Sequence, residues 1–247
     1  MVYSKLSILS LEITRLGYSD ILESIINVKN SEKSIIITGA NANTVNIAAD
    51  NQKFAKILNK FNIVHPDGIG IFLTSRFLFG KDGLKNRITG SDLYPRLIQL
   101  ALKNYWSFYF FGDTDETHRK IPLNYPGLRI VGSCNGFFYN NDSLISDINK
   151  SCPDFLIVGL GSPKQEEWII DNMEKVNTKI IIAVGEGIKV FAGTKKRGPK
   201  FVQMIGFEWL VRLLTEPKRL WKRYLIGIPL FIFRVLIWKI KLVIKRT

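Results

Sequence analysis

Predominantly apolar runs recur along the chain, and glycines punctuate their ends. They fall at 34–38 (SIIIT), 107–111 (SFYFF), 155–160 (FLIVGL) and 179–184 (KIIIAV), with shorter ones at Ile63–Val64 and Leu128–Gly132. Apolar runs without polar alternation are what strands covered on both faces of a parallel sheet require. Segments of helical period lie between them: Asp20–Val28 after a Ser19 cap, Val45–Ala49 after Asn41 and Asn43, Asp92 to about Lys103 after a Ser91 cap, and Asp142–Lys150. Residues 4–14 alternate loosely and read as a short strand or hairpin. Strand, glycine turn and helix in repeated succession predict an α/β fold. We expect a doubly wound, mainly parallel, Rossmann-like sheet with its ligand crevice along the C-terminal strand edges.

The strongest instance is residues 154–168, DFLIVGLGSPKQEEW. Gly159 and Gly161 allow a tight turn after the strand. Ser162 is placed to cap the next helix, with Pro163 at its first position and Gln165 and Glu166 in its first turn. Such a junction aims backbone N–H groups at an anionic ligand. Asp67 sits in HPDGIGI, residues 65–71, on a Pro/Gly-constrained turn at a strand end. It is placed either as a general base or as a turn aspartate bonded to its own backbone. Arg87, before the Gly90 turn, is a phosphate or carboxylate clamp or a solvated charge. Asn41 and Asn43 either cap the following helix or face a ligand. Asp113, Thr114 and Asp115 have the spacing of a divalent-metal DxD, but with Glu116 they also form a helix-start box.

Two isolated cysteines among 247 residues indicate neither a disulfide framework nor a zinc cluster, and a reduced, cytoplasmic setting is expected. His65 and His118 are the only histidines, which leaves little material for a His-based metal site or a Ser-His-Asp triad. The N-terminus lacks the shape of a signal peptide. The net charge of +14 is unevenly placed: fourteen Lys and Arg follow residue 194, opposed only by Glu208 and Glu216. We therefore divide the chain into a nearly neutral Rossmann-like α/β domain, 1–194, and a basic helical appendage, 195–247. Pro199, Pro217 and Pro229 punctuate the appendage, Trp209, Leu210, Leu213 and Leu214 form an apolar stripe, and Thr215 is placed to cap a new helix with Pro217 near its first position. Leu225–Trp238 is apolar but short and interrupted by Arg234, below the ~20 uncharged residues of a spanning helix. Basic residues, aliphatics and three tryptophans describe an element lying on an anionic membrane surface, where each basic group gains roughly 1 kcal/mol. A core-packing helical cap would use the same leucines. A nucleic-acid arm would not need them, so no nucleic-acid partner is expected.

Five blocks lie in order across most of the chain: NAN at 41–43, PDGIGI at 66–71, RITGSDL at 87–93, VGLGSPKQEEWI at 158–169, and GTKKRGPK…GFEWLVRLLTEPKRLWKRYLIGIP at 193–229. Together they resemble the WecG/TagA/CpsF glycosyltransferases, glycosyltransferase family 26. The resemblance implies an inverting, metal-independent enzyme that needs no cofactor. It would move N-acetylmannosamine, its uronic acid or glucose from a UDP-sugar to a polyprenyl-pyrophosphate-linked sugar in surface-polymer assembly. Its place would be the inner face of the cell membrane, with a homo-oligomer among the expected partners.

By the same resemblance Asp67 is the catalytic base. Substrate binding falls to Asn41 in the first block, Arg87 in the third, and Lys164, Gln165 and Glu166 in the fourth. From the appendage come Arg212 and Arg219 with Lys222 or Arg223, closing over the site. Two departures bear on the donor sugar. Relatives commonly carry a threonine where this chain has Gly39, with Thr38 as the neighbouring substitute, and the block GEGIKVFAG places Glu186 and Lys189 where small and acidic residues are usual. Two rival readings fit less of the chain. A nicotinamide oxidoreductase would want GxGxxG, and GLGSPK has only two of those glycines. A non-catalytic membrane scaffold would need only the tail.

Overall fold

In a computed structural model the chain is described over residues 3–195 and 197–244; Lys196, Lys245 and Arg246 of the basic tail lie outside the described residues. Elements follow in the order β1 (Lys5–Ile8), β2 (Leu11–Thr14), α1 (Tyr18–Lys29), β3 (Ile35–Ala40), α2 (Ala42–Asp50), α3 (Gln52–Asn59), β4 (Ile63–Pro66) and α4 (Ile69–Phe79). Next come α5 (Gly90–Asn104), β5 (Ser107–Gly112), α6 (Asp115–Asn124), β6 (Arg129–Cys134), α7 (Asn141–Ser151), β7 (Phe155–Gly159), α8 (Lys164–Asn172), β8 (Ile180–Ala183) and α9 (Ile188–Phe191). The appendage supplies α10 (Lys200–Met204), α11 (Glu208–Thr215), α12 (Pro217–Trp221) and α13 (Gly227–Ile244).

Residues 4–14 form the antiparallel hairpin β1–β2, and the other six strands make one parallel sheet in the order β4-β3-β8-β7-β5-β6. Successive side chains of each strand enter different cores. Ile36 and Ala40 join α2, α3, α7 and α8, whereas Ile35 and Ile37 join α1, α5, α6 and α9. Apolar residues on both faces are thus the direct cause of the doubly wound arrangement.

Four helix starts differ from the expected caps. Gly17, not Ser19, caps α1, because Asp20 reaches back to accept the Gly17 N–H at 2.7 Å. Thr89 rather than Ser91 precedes α5, its hydroxyl donating to Asp92 at 2.7 Å. Ser162 does not cap α8; its hydroxyl donates to the Glu166 carboxylate at 2.8 Å. At these three starts a nearby carboxylate takes up a donor. At α12 the cap is Glu216 rather than Thr215, whose hydroxyl donates to the Arg212 carbonyl at 3.2 Å.

A π-helical turn over residues 222–226 joins α12 to α13. Pro229 has no N–H for the carbonyl four residues back, and the wider turn lies over that carbonyl. Helix α13 lies on α2, burying Phe231 and Val235 in the sheet's outer core. Arg234, the interruption in the apolar run, ties the two helices: it donates to the Asn46 carbonyl at 2.9 Å and pairs with Asp50. Asn46 Nδ2 in turn donates to the Gly227 carbonyl at 2.7 Å. Lys239 binds the last carbonyls of α4, Phe77 at 3.1 Å and Leu78 at 3.0 Å, where the helix dipole favours a cation. No described helix is long and apolar enough to cross a membrane.

Candidate active site

The C-terminal ends of β3, β4 and β8 open into a cavity of about 610 Å³, roofed by the appendage. That volume lies within the range of small-molecule sites. Asp67 is on its wall. Its backbone N–H continues the sheet to Ala40 O at 2.9 Å, and it forms an isolated parallel bridge with Ile88. Gly68 follows with φ +84°, a conformation that favours glycine, and gives its N–H to Ile88 O at 2.8 Å. This pairing draws residues 87–90 alongside Asp67. The Gly90 N–H donates to Asp67 Oδ1 at 3.2 Å, and Asn41 Nδ2 approaches Oδ2 at 3.5 Å. Asn41 serves both readings: its Oδ1 caps α2 by accepting the N–H groups of Asn43 (3.0 Å) and Thr44 (3.2 Å) while its amide faces the base candidate.

Gln165 is buried on the opposite wall and fixes the turn after β8, accepting the Gly185 N–H at 2.8 Å. Its amide donates to Glu166 Oε1 at 2.8 Å. Glu166 and Thr38 lie beneath the wall, joined by a 3.1 Å hydrogen bond. Burial raises the Glu166 carboxyl above its ordinary range against the pull of its hydrogen bonds. Both residues support Gln165 from below. Lys164, first residue of α8, is exposed and off the cavity wall.

Arg87 reaches the cavity and donates to the Gln203 carbonyl of α10 at 2.9 Å, so it holds the roof as well as facing the space. Arg197 clasps Asp92 at 2.9 Å and Glu208 at 3.0 Å. Arg212, Arg219 and Arg223 line the cavity from above. Lys222 turns outward, its ammonium 5.6 Å above the Trp221 ring. Of the expected set, Asp67, Asn41, Arg87, Gln165, Arg212, Arg219 and Arg223 therefore share one cavity; Thr38 and Glu166 sit behind it, and Lys164 and Lys222 lie outside.

Lys195, Glu186 and His65 are among the wall residues that escaped the sequence reading as site members. Lys195 faces Asp67, Glu186 and Glu208 without an ion pair to any of them among the described residues. Burial lowers its ammonium's pKa, and Arg212 adds to the effect. Nothing in the run KKR marks Lys195 as a wall residue. Glu186 stands on a glycine-bounded turn at a strand end, the same grammar as Asp67, and that signal was readable. His65 is buried beside Asp67 with Nε2 unpartnered, and burial keeps its imidazole below the ordinary pKa. Away from the cavity, Asp113 and Asp115 serve the start of α6: Asp113 Oδ1 accepts from Thr114 N at 2.8 Å and from the Thr117 hydroxyl at 2.9 Å.

Two relatives from Staphylococcus aureus are similar over most of the chain. The protein of strain MRSA252 is 29% identical over 223 residues, which cover 87% of this chain and 86% of the relative. That of strain NCTC 8325 / PS 47 is 28% identical over the same shares. Both are described as N-acetylglucosaminyldiphosphoundecaprenol N-acetyl-beta-D-mannosaminyltransferase. The family model of the glycosyl transferases WecG/TagA/CpsF matches residues 6–244, the sheet, the cavity and its roof together, and the chain belongs to that glycosyltransferase family.

Proposed function

We propose that this glycosyltransferase is inverting and UDP-sugar-dependent. It passes a hexosyl group to a sugar carried on a polyprenyl pyrophosphate, with N-acetylmannosamine and an N-acetylglucosaminyl acceptor, as in the named relatives, as first choices. The observation that carries the reading is the meeting of one carboxylate, Asp67, with Lys195, Arg212, Arg219 and Arg223 in a single cavity. The acceptor hydroxyl oxygen attacks the anomeric carbon from the face opposite the diphosphate. Its proton passes to Asp67, the bond from that carbon to the phosphate oxygen breaks, and the electron pair leaves with UDP. The roof cations meet the charge that develops on the diphosphate, so the reaction needs neither a metal ion nor a cofactor.

In this reading residues 1–194 are the catalytic unit and 195–247 an appendage that completes the site at the inner face of the cell membrane. Exposed Phe233, Leu236 and Ile240 on α13 support that placement, for they form an apolar face turned away from α2. The test is a panel of UDP-sugars (N-acetylmannosamine, its uronic acid, glucose) with a short-chain polyprenyl-pyrophosphate N-acetylglucosamine acceptor, in EDTA. Product is read by mass and its anomeric configuration by NMR. Transfer with inversion is expected. Retention of configuration would remove the base role of Asp67, and turnover only with another nucleotide sugar would remove the UDP donor.

A further inference from the structure

Glu186 occupies a 3₁₀ turn, Gly185–Gly187, directly after β8, and Gln165 pins that turn through the Gly185 N–H. Its two carboxylate oxygens are each taken by a different arginine of the appendage: Oε2 by Arg212, and Oε1 by Arg219 at 2.5 Å. Two guanidinium groups converging on one anion, inside a cavity sized for a nucleotide sugar, is the arrangement that binds phosphate. Arg219 also binds Glu216, through Nε at 2.7 Å and Nη2 at 2.6 Å. Burial alone would raise the Glu186 carboxyl; the two arginines outweigh it and hold the group ionised below its usual range.

We propose that Glu186 is a positioning residue whose carboxylate stands in for a diphosphate group: it holds Arg212 and Arg219 in place over the cavity, and a diphosphate takes them over from it. The proposal rests on the reading that these arginines receive a diphosphate, and it adds the group that holds them beforehand. The Glu186 carboxylate brings a single negative charge to both arginines, and Glu216 adds another to Arg219 alone. A diphosphate carries more charge and more acceptor oxygens than one carboxylate, and Lys195 stands beside the pair with no ion pair of its own among the described residues. The exchange is therefore favourable, but it is opposed by the bonds to Glu186 that must break.

Removing the stand-in charge should release the arginines for the ligand. In the full-length protein Glu186→Gln is expected to bind inorganic pyrophosphate roughly tenfold more tightly than wild type in calorimetry, the scale of one charge-assisted contact. Without ligand, trypsin should cut the same variant faster within residues 195–223, and pyrophosphate should restore protection. Glu186→Asp keeps the charge and should behave as wild type in both assays. Glu186→Ala is the second neutral variant, so that either one that folds decides. A neutral variant that folds and binds pyrophosphate no more tightly than wild type overturns the proposal and leaves Glu186 a plain anchor of the roof. Wild type that binds pyrophosphate but not UDP, together with tighter binding by the neutral variants, supports the Glu186 inference and removes the UDP-donor reading instead.

Discussion

Gly39 and His65 share one volume at the floor of the cavity. A Cβ on residue 39 would stand 2.7 Å from His65 Cε1, 2.9 Å from its Nε2 and 3.3 Å from Asp67 Cβ. Gly39 is thus the counterpart of an imidazole on the neighbouring strand. Gly39→Thr alone overpacks this floor and should cost about 1–3 kcal/mol in chemical denaturation, with transfer falling as Asp67 shifts. Gly39→Thr combined with His65→Val should recover most of that stability. A single variant as stable as wild type would show that the imidazole is not confined as described.

Asp67→Asn keeps an acceptor for the Gly90 N–H but cannot take a proton from a hydroxyl. Transfer should fall by about 10²–10⁴-fold, the range of a lost general base, while the affinity for UDP stays at the wild-type level. Asn41→Ala removes a helix cap together with the amide that faces Asp67. It should lower stability by about 1 kcal/mol and turnover more than substrate affinity. If Asp67→Asn turns over at the wild-type rate, the base must be sought elsewhere on the wall.

The architecture was legible in the sequence because it is written in contiguous stretches: runs such as Phe108–Phe111 and Phe155–Val158 are apolar at every position, and only a strand buried on both faces needs that. Asp67, Arg87 and Gln165 were legible for a similar reason, since each stands beside a glycine turn at a strand end. What stayed hidden depends on pairings distant in the chain. Arg234 interrupts an apolar run and looks like a charge that must be solvated, yet it anchors α13 through Asn46 and Asp50, more than 180 residues away. Lys195 and Lys222 look alike as members of basic runs, and only the path of the roof turns one into the cavity and the other onto Trp221. Caps moved for a local reason: Asp20, Asp92 and Glu166 each captured a donor, and whether a carboxylate will do so depends on rotamers that spacing does not fix.

Asp154 ties three elements at the opposite, N-terminal edge of the sheet. It accepts the Ser107 N–H at 2.6 Å and the Ser107 hydroxyl at 2.9 Å, and pairs with Lys29 of α1. Burial would raise its carboxyl, but these partners prevail and hold it below the ordinary value. A carboxyl lowered on folding stabilises the folded state above its unfolded pKa of about 3.9, and that contribution disappears as pH falls through the folded value. Asp154→Asn should therefore cost about 1–3 kcal/mol at pH 6. The gap to wild type should shrink steadily below pH ~4 in urea denaturation series. A gap that widens on acidification would mean that Asp154 is not charged in the folded protein.

In the proposed reading, attachment to lipid and completion of the cavity use different faces of the appendage and can be separated. Phe233, Leu236 and Ile240 recur at the three- and four-residue spacing of one helical stripe and are exposed, whereas Phe231 and Val235 are buried against the sheet's outer core. Replacing Phe233, Leu236 and Ile240 together by serine leaves the buried contacts, the Arg234 tie and the cavity cations in place. The triple variant should keep wild-type stability and should transfer sugar to a short, water-soluble acceptor at the wild-type rate. Its binding to anionic phospholipid vesicles should fall by more than about tenfold, since each large side chain contributes roughly 1.5–3 kcal/mol when buried. Transfer to an acceptor embedded in those vesicles should fall with it. Cutting the chain after Gly193 differs in kind. It removes Lys195, Arg212, Arg219 and Arg223 along with the stripe, so transfer should be lost to both acceptors. If that truncation remained fully active on the soluble acceptor, the roof would have no part in the chemistry, and the cations would have to be found within the sheet domain.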